Sequence, residues 1–238
     1  MKISVLTLFP EFFKSGLETS IIKRAIEKEL VDIELINIRD FSLDKNHKVD
    51  DTPYGGGSGM VINVSCVYDA LQSVKTDNSY VVITSPIGQV YNQSKALQFA
   101  NYEHLIIICG HYEGIDARIY DYVDQIISIG DFILTGGENV ASCIIDSVVR
   151  LIDGVITKES LDEESFNNHL LEPYAYTRPF TFNGVSVPEV LTNGNHKLIR
   201  EYKYAQSLQL TYLNRPDLLE DVELSDDDKK ILHKIIEK

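Results

Sequence analysis

Five short runs rich in β-branched and aliphatic residues, at 3–9, 32–38, 80–84, 105–109 and 125–129, constrain the fold more than any other feature of this 238-residue chain. Each has the length of one strand. Stretches with helical periodicity alternate with them, at 10–30, 64–74, 93–100, 115–122 and 138–152. Such alternation predicts right-handed strand-helix-strand units and an α/β fold with a mostly parallel sheet. Ligands of these sheets gather outside the carboxyl ends of strands, where glycine lets the backbone itself approach the ligand. Glycine clusters stand at such ends: Cys109-Gly110-His111-Tyr112-Glu113-Gly114-Ile115-Asp116, then Ser128-Ile129-Gly130-Asp131, then Leu134-Thr135-Gly136-Gly137-Glu138. Any one of them alone reads as a turn. Three in succession predict a pocket lined by main chain.

After about residue 157 the chain changes character. The segment 158–172 is polar and acidic, with Asp162-Glu163-Glu164 at its centre, and it reads as a flexible interdomain linker. Pro173, Pro179, Gly184 and Pro188 mark a turn-rich stretch, after which Asn195 is placed to cap a helix running to about Tyr212 and stopped by Pro216. Ser225 followed by Asp228 resembles a capping box ahead of Ile231, Leu232, Ile235 and Ile236. The expected layout is therefore an α/β domain over 1–157, the linker, and a small, mainly helical domain over 173–238.

Composition excludes several function classes. A net charge of −14 argues against indiscriminate binding to nucleic acid, which needs clustered cations. The stretch 173–216 is an exception at a net +3: Arg178, Lys197, Arg200, Lys203 and Arg215 outnumber Glu189 and Glu201, and Tyr174, Tyr176, Tyr202, Tyr204 and Tyr212 lie among them. Cations interleaved with aromatics suit phosphates and unstacked bases, although tyrosines at helical spacing also build ordinary cores. Cys66, Cys109 and Cys143 show neither disulfide nor zinc-ribbon spacing, and no apolar run approaches membrane-spanning length. The reading is a cytoplasmic protein without membrane attachment. Tyr54-Gly55-Gly56-Gly57-Ser58-Gly59-Met60 lacks the last glycine of a dinucleotide fingerprint, and the chain has no P-loop, nucleophile elbow or metal-ligand spacing.

The ordered segments Leu8-Phe9-Pro10-Glu11, Asp50 through Met60, Cys109 through Asp116, Ser128 through Asp131, Thr135 through Glu138, Tyr176-Thr177-Arg178-Pro179 and Gly194-Asn195-His196 resemble those of the bacterial tRNA (guanine-N1)-methyltransferase family, SPOUT-type enzymes that use S-adenosylmethionine. The resemblance implies a trefoil knot near the carboxyl end of the first domain. It also implies a donor pocket of Ser85, Pro86, Gly110, Glu113, Ile129, Gly130, Asp131, Phe132, Ile133, Leu134, Gly136 and Gly137, and a homodimer that shares its active site. The implied substrate is tRNA, methylated at N1 of the guanosine immediately 3′ of the anticodon. Some members of the family require magnesium, which the acidic residues near the pocket make plausible without any ligand spacing to support it.

The N1 nitrogen of guanine carries a proton, so methylation needs a general base and a cation to hold the charge that builds on the ring oxygen. The resemblance assigns the cation to Arg150 and the base to the linker acid before Ser165-Phe166. That acid is Glu164, where the family has aspartate, and its carboxylate reaches farther by about 1.5 Å. Asp162 is the alternative base. Read without the family, Arg150 is one half of an ordinary helical pair with Asp146, and Glu164 is one acid in a solvated loop. A methyltransferase acting on another RNA and a catalytically silent RNA-binding protein remain as other readings.

Overall fold

The computed structural model describes residues 1–162, 164–166, 168–220 and 222–236, with Glu159, Asp162 and 234–236 as backbone only. The chain divides into two compact units, Met1–Thr157 and Lys158–Lys238.

In the first unit, strands β1 (Lys2–Thr7) and β2 (Asp32–Asn37) precede a separate antiparallel ribbon of β3 (Asp50–Asp51) and β4 (Val61–Ile62). Three further strands follow: β5 (Ser79–Val90), β6 (His104–Ile108) and β7 (Gln125–Ser128). The long strands form one all-parallel sheet in the order β2-β1-β6-β5-β7. Strand geometry sends successive side chains to opposite faces. Ile3, Val5, Val82, Leu105 and Ile107 accordingly enter one core, while Leu6, Val81, Ile83, Ile106 and Ile108 enter the other. Two covered faces explain why the run at β6 is apolar without a break.

Five helices belong to this unit: α1 (Lys14–Leu17), α2 (Ser20–Glu27), α3 (Val64–Val74), α4 (Gln93–Ala100) and α5 (Glu138–Val149). α5 packs Ala141, Ile144, Ile145, Val148 and Val149 into the first core, an i, i+3, i+4, i+7, i+8 stripe. Phe99 of α4 and Ala25 of α2 join the same core. Cys66, Val67, Ala70 and Leu71 of α3 fill the other.

Three local features depart from the sequence expectations. The helix expected over 10–30 is broken, because Thr19 is extended and Ser20 takes φ 52°, so a 3-10 turn at Pro10–Phe13 and two short helices replace it. Residues Ala117–Tyr122 form a 3-10 helix whose start is held by the Asp116 carboxylate accepting from the Arg118 N–H. β5 does not stop at Thr84 but runs to Val90. Thr84 and Gln89 both register opposite Ile127, so Ser85–Gly88 forms a bulge in β5 that drops out of register with β7 and returns to it.

The second unit begins with a short helix, α6 (Lys158–Asp162), where the sequence shows no periodicity. A small hairpin of β8 (Thr181–Phe182) and β9 (Val185–Ser186) follows a cis Arg178–Pro179 peptide. α7 (His196–Asn214) starts at Asn195, whose side chain accepts from the N–H groups of Lys197 and Leu198. α8 (Asp226–Ile236) starts with a closed capping box: the Ser225 N–H donates to the Asp228 carboxylate at 2.9 Å, and the Asp228 N–H donates to the Ser225 hydroxyl at 3.2 Å. Among the described residues no helix is long and apolar enough to cross a membrane.

Candidate functional site

A cavity of about 450 Å³ opens at the carboxyl ends of β6 and β7 and beside the middle of β5, within the size range of small-molecule sites. Its walls come from Ser85–Ile87 of the β5 bulge, from the loop after β6 at Gly110–Ile115, and from the segments Ser128–Gly130 and Phe132–Gly137. All residues expected at the donor pocket line it except Asp131, which is exposed. Phe132, Ile133 and Leu134 expose apolar side chains at its edge.

Tight main-chain packing shapes the floor. The Gly137 N–H donates to the Gly110 carbonyl at 2.7 Å, and His111 and Gly136 form an antiparallel bridge. A Cβ on Gly137 would overlap Thr84 Oγ1 and the Gly110 nitrogen, and one on Gly136 would overlap the His111 ring and the Glu138 carboxylate. Glycine at both positions is thus a matter of space. Thr84 donates to the Ile108 carbonyl at 3.2 Å, so the middle of β5 is tied to the end of β6 under the cavity.

Sequence reasoning missed a polar cluster beside this floor. Glu138, at 5% exposure, accepts a 2.8 Å hydrogen bond from Thr7 Oγ1, which itself accepts from the Phe9 N–H. His111 Nδ1 lies 4.0 Å from the other Glu138 oxygen. The His111 ring sits between Phe9 and Tyr112, with centroids 4.9 Å and 4.8 Å away. Tyr112 takes φ 56° and accepts from Arg39 Nη2 at 3.4 Å. Burial, and then the negative charge of Glu138, push the Cys109 thiol well above its ordinary pKa, so it stays protonated next to the site. The signal for this cluster was a glutamate directly after Gly136-Gly137, which opens α5 and carries a charge suited to a helix start.

The two expected catalytic side chains fall in different units. Arg150 caps the carboxyl end of α5, its N–H bonded to the Asp146 carbonyl at 3.3 Å. Glu164 follows α6, half-buried, with its N–H donating to the Leu161 carbonyl at 3.3 Å. Glu163 lies outside the described residues, and Asp162 is placed only as the last backbone position of α6. Among the described residues no group of three or more His, Cys, Asp or Glu side chains is arranged to hold a metal.

The second unit carries its own cavity of about 780 Å³, lined by Tyr174, Tyr176, Arg178, Phe180 and Lys203 among others. Tyr174, Tyr176 and Phe180 are exposed. The basic and aromatic residues singled out in the sequence therefore meet in part on one surface rather than in a core.

Comparison with known proteins bears on both units. The family described as tRNA (Guanine-1)-methyltransferase TrmD matches residues 1–221. A Malacoplasma penetrans protein named tRNA (guanine-N(1)-)-methyltransferase is 56% identical over 218 residues, covering 92% of this chain and 96% of its own. Proteins of the same name from Clostridium botulinum and Caldanaerobacter subterraneus are 52% and 51% identical over 234 residues, covering 98% of this chain and 97% of theirs. A parallel sheet with a main-chain-lined cavity, matched from end to end at this level of identity, places the chain in the tRNA (guanine-1)-methyltransferase family.

Proposed function

We propose that this chain transfers a methyl group from S-adenosylmethionine to N1 of the guanosine immediately 3′ of the anticodon in tRNA. The observation that carries the proposal is the cavity itself, built by Gly110 after β6 and Gly130, Gly136 and Gly137 after β7 in a chain of this family. Its main-chain N–H and C=O groups suit the edge of an adenine, and Ile129, Leu134 and Val140 suit its faces. The donor, when bound, supplies an electrophilic methyl group on a sulfonium.

The remaining chemistry falls to side chains. In this reading Glu164 accepts the N1 proton of guanine, and its carboxylate becomes the acid as the new N–C bond forms. Arg150 faces the ring oxygen as negative charge grows there, which its permanently charged, planar guanidinium suits. Asp162 is the other carboxylate within the same short segment. The cavity of the second unit, with Tyr176, Arg178 and Lys203, takes part in holding the RNA. The finer architecture proposed is a trefoil knot formed by the cavity loops, and a homodimer in which one subunit's linker acid serves the partner's pocket. We assign no magnesium site. A cytoplasmic location follows from tRNA as substrate.

Radiolabelled methyl transfer tests the proposal. Unmodified tRNA with guanosine 3′ of the anticodon should accept label, and the same tRNA with adenosine there should not. Label in both overturns the assigned position, and label in neither overturns the activity.

A further inference from the structure

The Thr7, Glu138 and His111 cluster has no part in the chemistry above, yet it borders the cavity. Thr7 occupies one Glu138 oxygen, and the other faces His111 Nδ1. That nitrogen is sealed from solvent and has no hydrogen-bond partner among the described residues. At 4.0 Å the gap is too long for a hydrogen bond. Even so, Nδ1 faces a carboxylate oxygen, and Gly136 has no Cβ to keep the two apart. An ionised carboxylate can only accept, so a histidine beside it carries its proton on the facing nitrogen. The ring lines the cavity and keeps 22% of its side chain accessible, which leaves Nε2 as the reachable nitrogen.

We infer that Glu138 is a positioning residue that holds His111 as the Nδ1–H tautomer, so that Nε2 offers the cavity a hydrogen-bond acceptor that selects a donating group, a hydroxyl or an amine, on the bound nucleoside. This rests on reading the cavity as the methyl-donor pocket. The glycines of the site present main-chain polar groups, whose directions are fixed by the fold. His111 is different: its hydrogen-bonding sense is set by a buried neighbour from α5. A carboxylate orients a histidine through its far nitrogen in the same way at metal centres and in catalytic triads.

The test uses the full chain with ¹⁵N-labelled histidine and long-range proton-nitrogen correlation spectra, His111 being identified by loss of its signals in His111→Phe. The wild-type protein should show Nδ1 protonated and Nε2 bare. Glu138→Gln keeps an acceptor for Thr7 but offers Nδ1 an amide donor, so the proton should move to Nε2. Affinity for S-adenosylhomocysteine, measured by calorimetry, should then fall roughly tenfold while KM for tRNA stays unchanged. His111→Phe keeps a ring between Phe9 and Tyr112 without the acceptor, and it should weaken the same affinity by a similar factor. A proton on Nε2 in the wild type overturns the inference, as does wild-type affinity in His111→Phe. A wild-type protein that binds neither S-adenosylhomocysteine nor S-adenosylmethionine sinks the donor-pocket reading instead, and the spectra still report the tautomer.

Discussion

His104 is a buried histidine for which burial and the Lys2 ammonium outweigh the pull of Glu34 and Asp32 toward a charged ring. Its Nε2 lies 2.9 Å from Ser4 Oγ and its Nδ1 2.8 Å from Ser79 Oγ, so both nitrogens are satisfied by hydroxyls. Burial, reinforced by the nearby Lys2 ammonium, holds its pKa below the ordinary 6.5. A depressed histidine pKa means the unfolded chain protonates first as pH falls. Stability should therefore be full above pH 6.5 and decline below it, until the folded His104 also titrates. Urea midpoints between pH 7.5 and 5.5 should drop, and His104→Gln should flatten that slope. Gly137→Ala forces a methyl group into Thr84 and Gly110, at a cost of about 1–3 kcal/mol in thermal or urea unfolding, with donor binding lost. Thiol labelling should discriminate among the cysteines: exposed Cys143 reacts, whereas Cys109 and Cys66, buried with raised pKa values, resist iodoacetamide until the chain unfolds. At this scale the glycine clusters were legible because they are contiguous. The Thr7 to Glu138 bond was not, since its partners lie 131 residues apart and meet only once β1 and α5 are packed.

Helices announced by a cap or a clear stripe were legible at the level of the element. α3 and α4 occupy the residues their periodicity marks, and α7 and α8 begin where Asn195 and Ser225 place them. Asn195→Ala should cost about 1 kcal/mol, read as a lower midpoint for unfolding of the helical signal, because two N–H groups of α7 lose their acceptor. The segment 10–30 misled because Ile21, Ile22, Ala25 and Ile26 supply a helical stripe for α2 alone, while positive φ at Ser20 is a backbone state that side-chain pattern does not encode. β5 misled in the opposite direction. Its β-branched run ends at Thr84, where Pro86 and Gly88 interrupt the pattern, and only pairing with β7 shows that the strand continues to Val90.

For the molecule as a whole, the two units carry different halves of the proposed reaction. Glu164→Gln should abolish methyl transfer while S-adenosylmethionine affinity stays within about twofold, because the proposed donor contacts lie in Met1–Thr157. Full activity in that variant would shift the base to Asp162. The parallel sheet and a glycine-lined pocket could be read from strand runs and composition alone, whereas the substrate became legible only through resemblance, since no residue pattern in 173–216 distinguishes tRNA from another structured RNA.

The return of Ser85–Gly88 to its own strand also limits how this molecule can vary. Both ends of the detour are anchored opposite one residue, Ile127, so an inserted or deleted residue there would slide half of β5 against β7 and turn its side chains to the wrong face. Length changes should be tolerated at the exposed tip around Gly55–Gly57 and rejected in this four-residue stitch, which keeps a constant gauge and at Gly88 admits no side chain, since a Cβ there would overlap the main chain of Ile126 and Ile127.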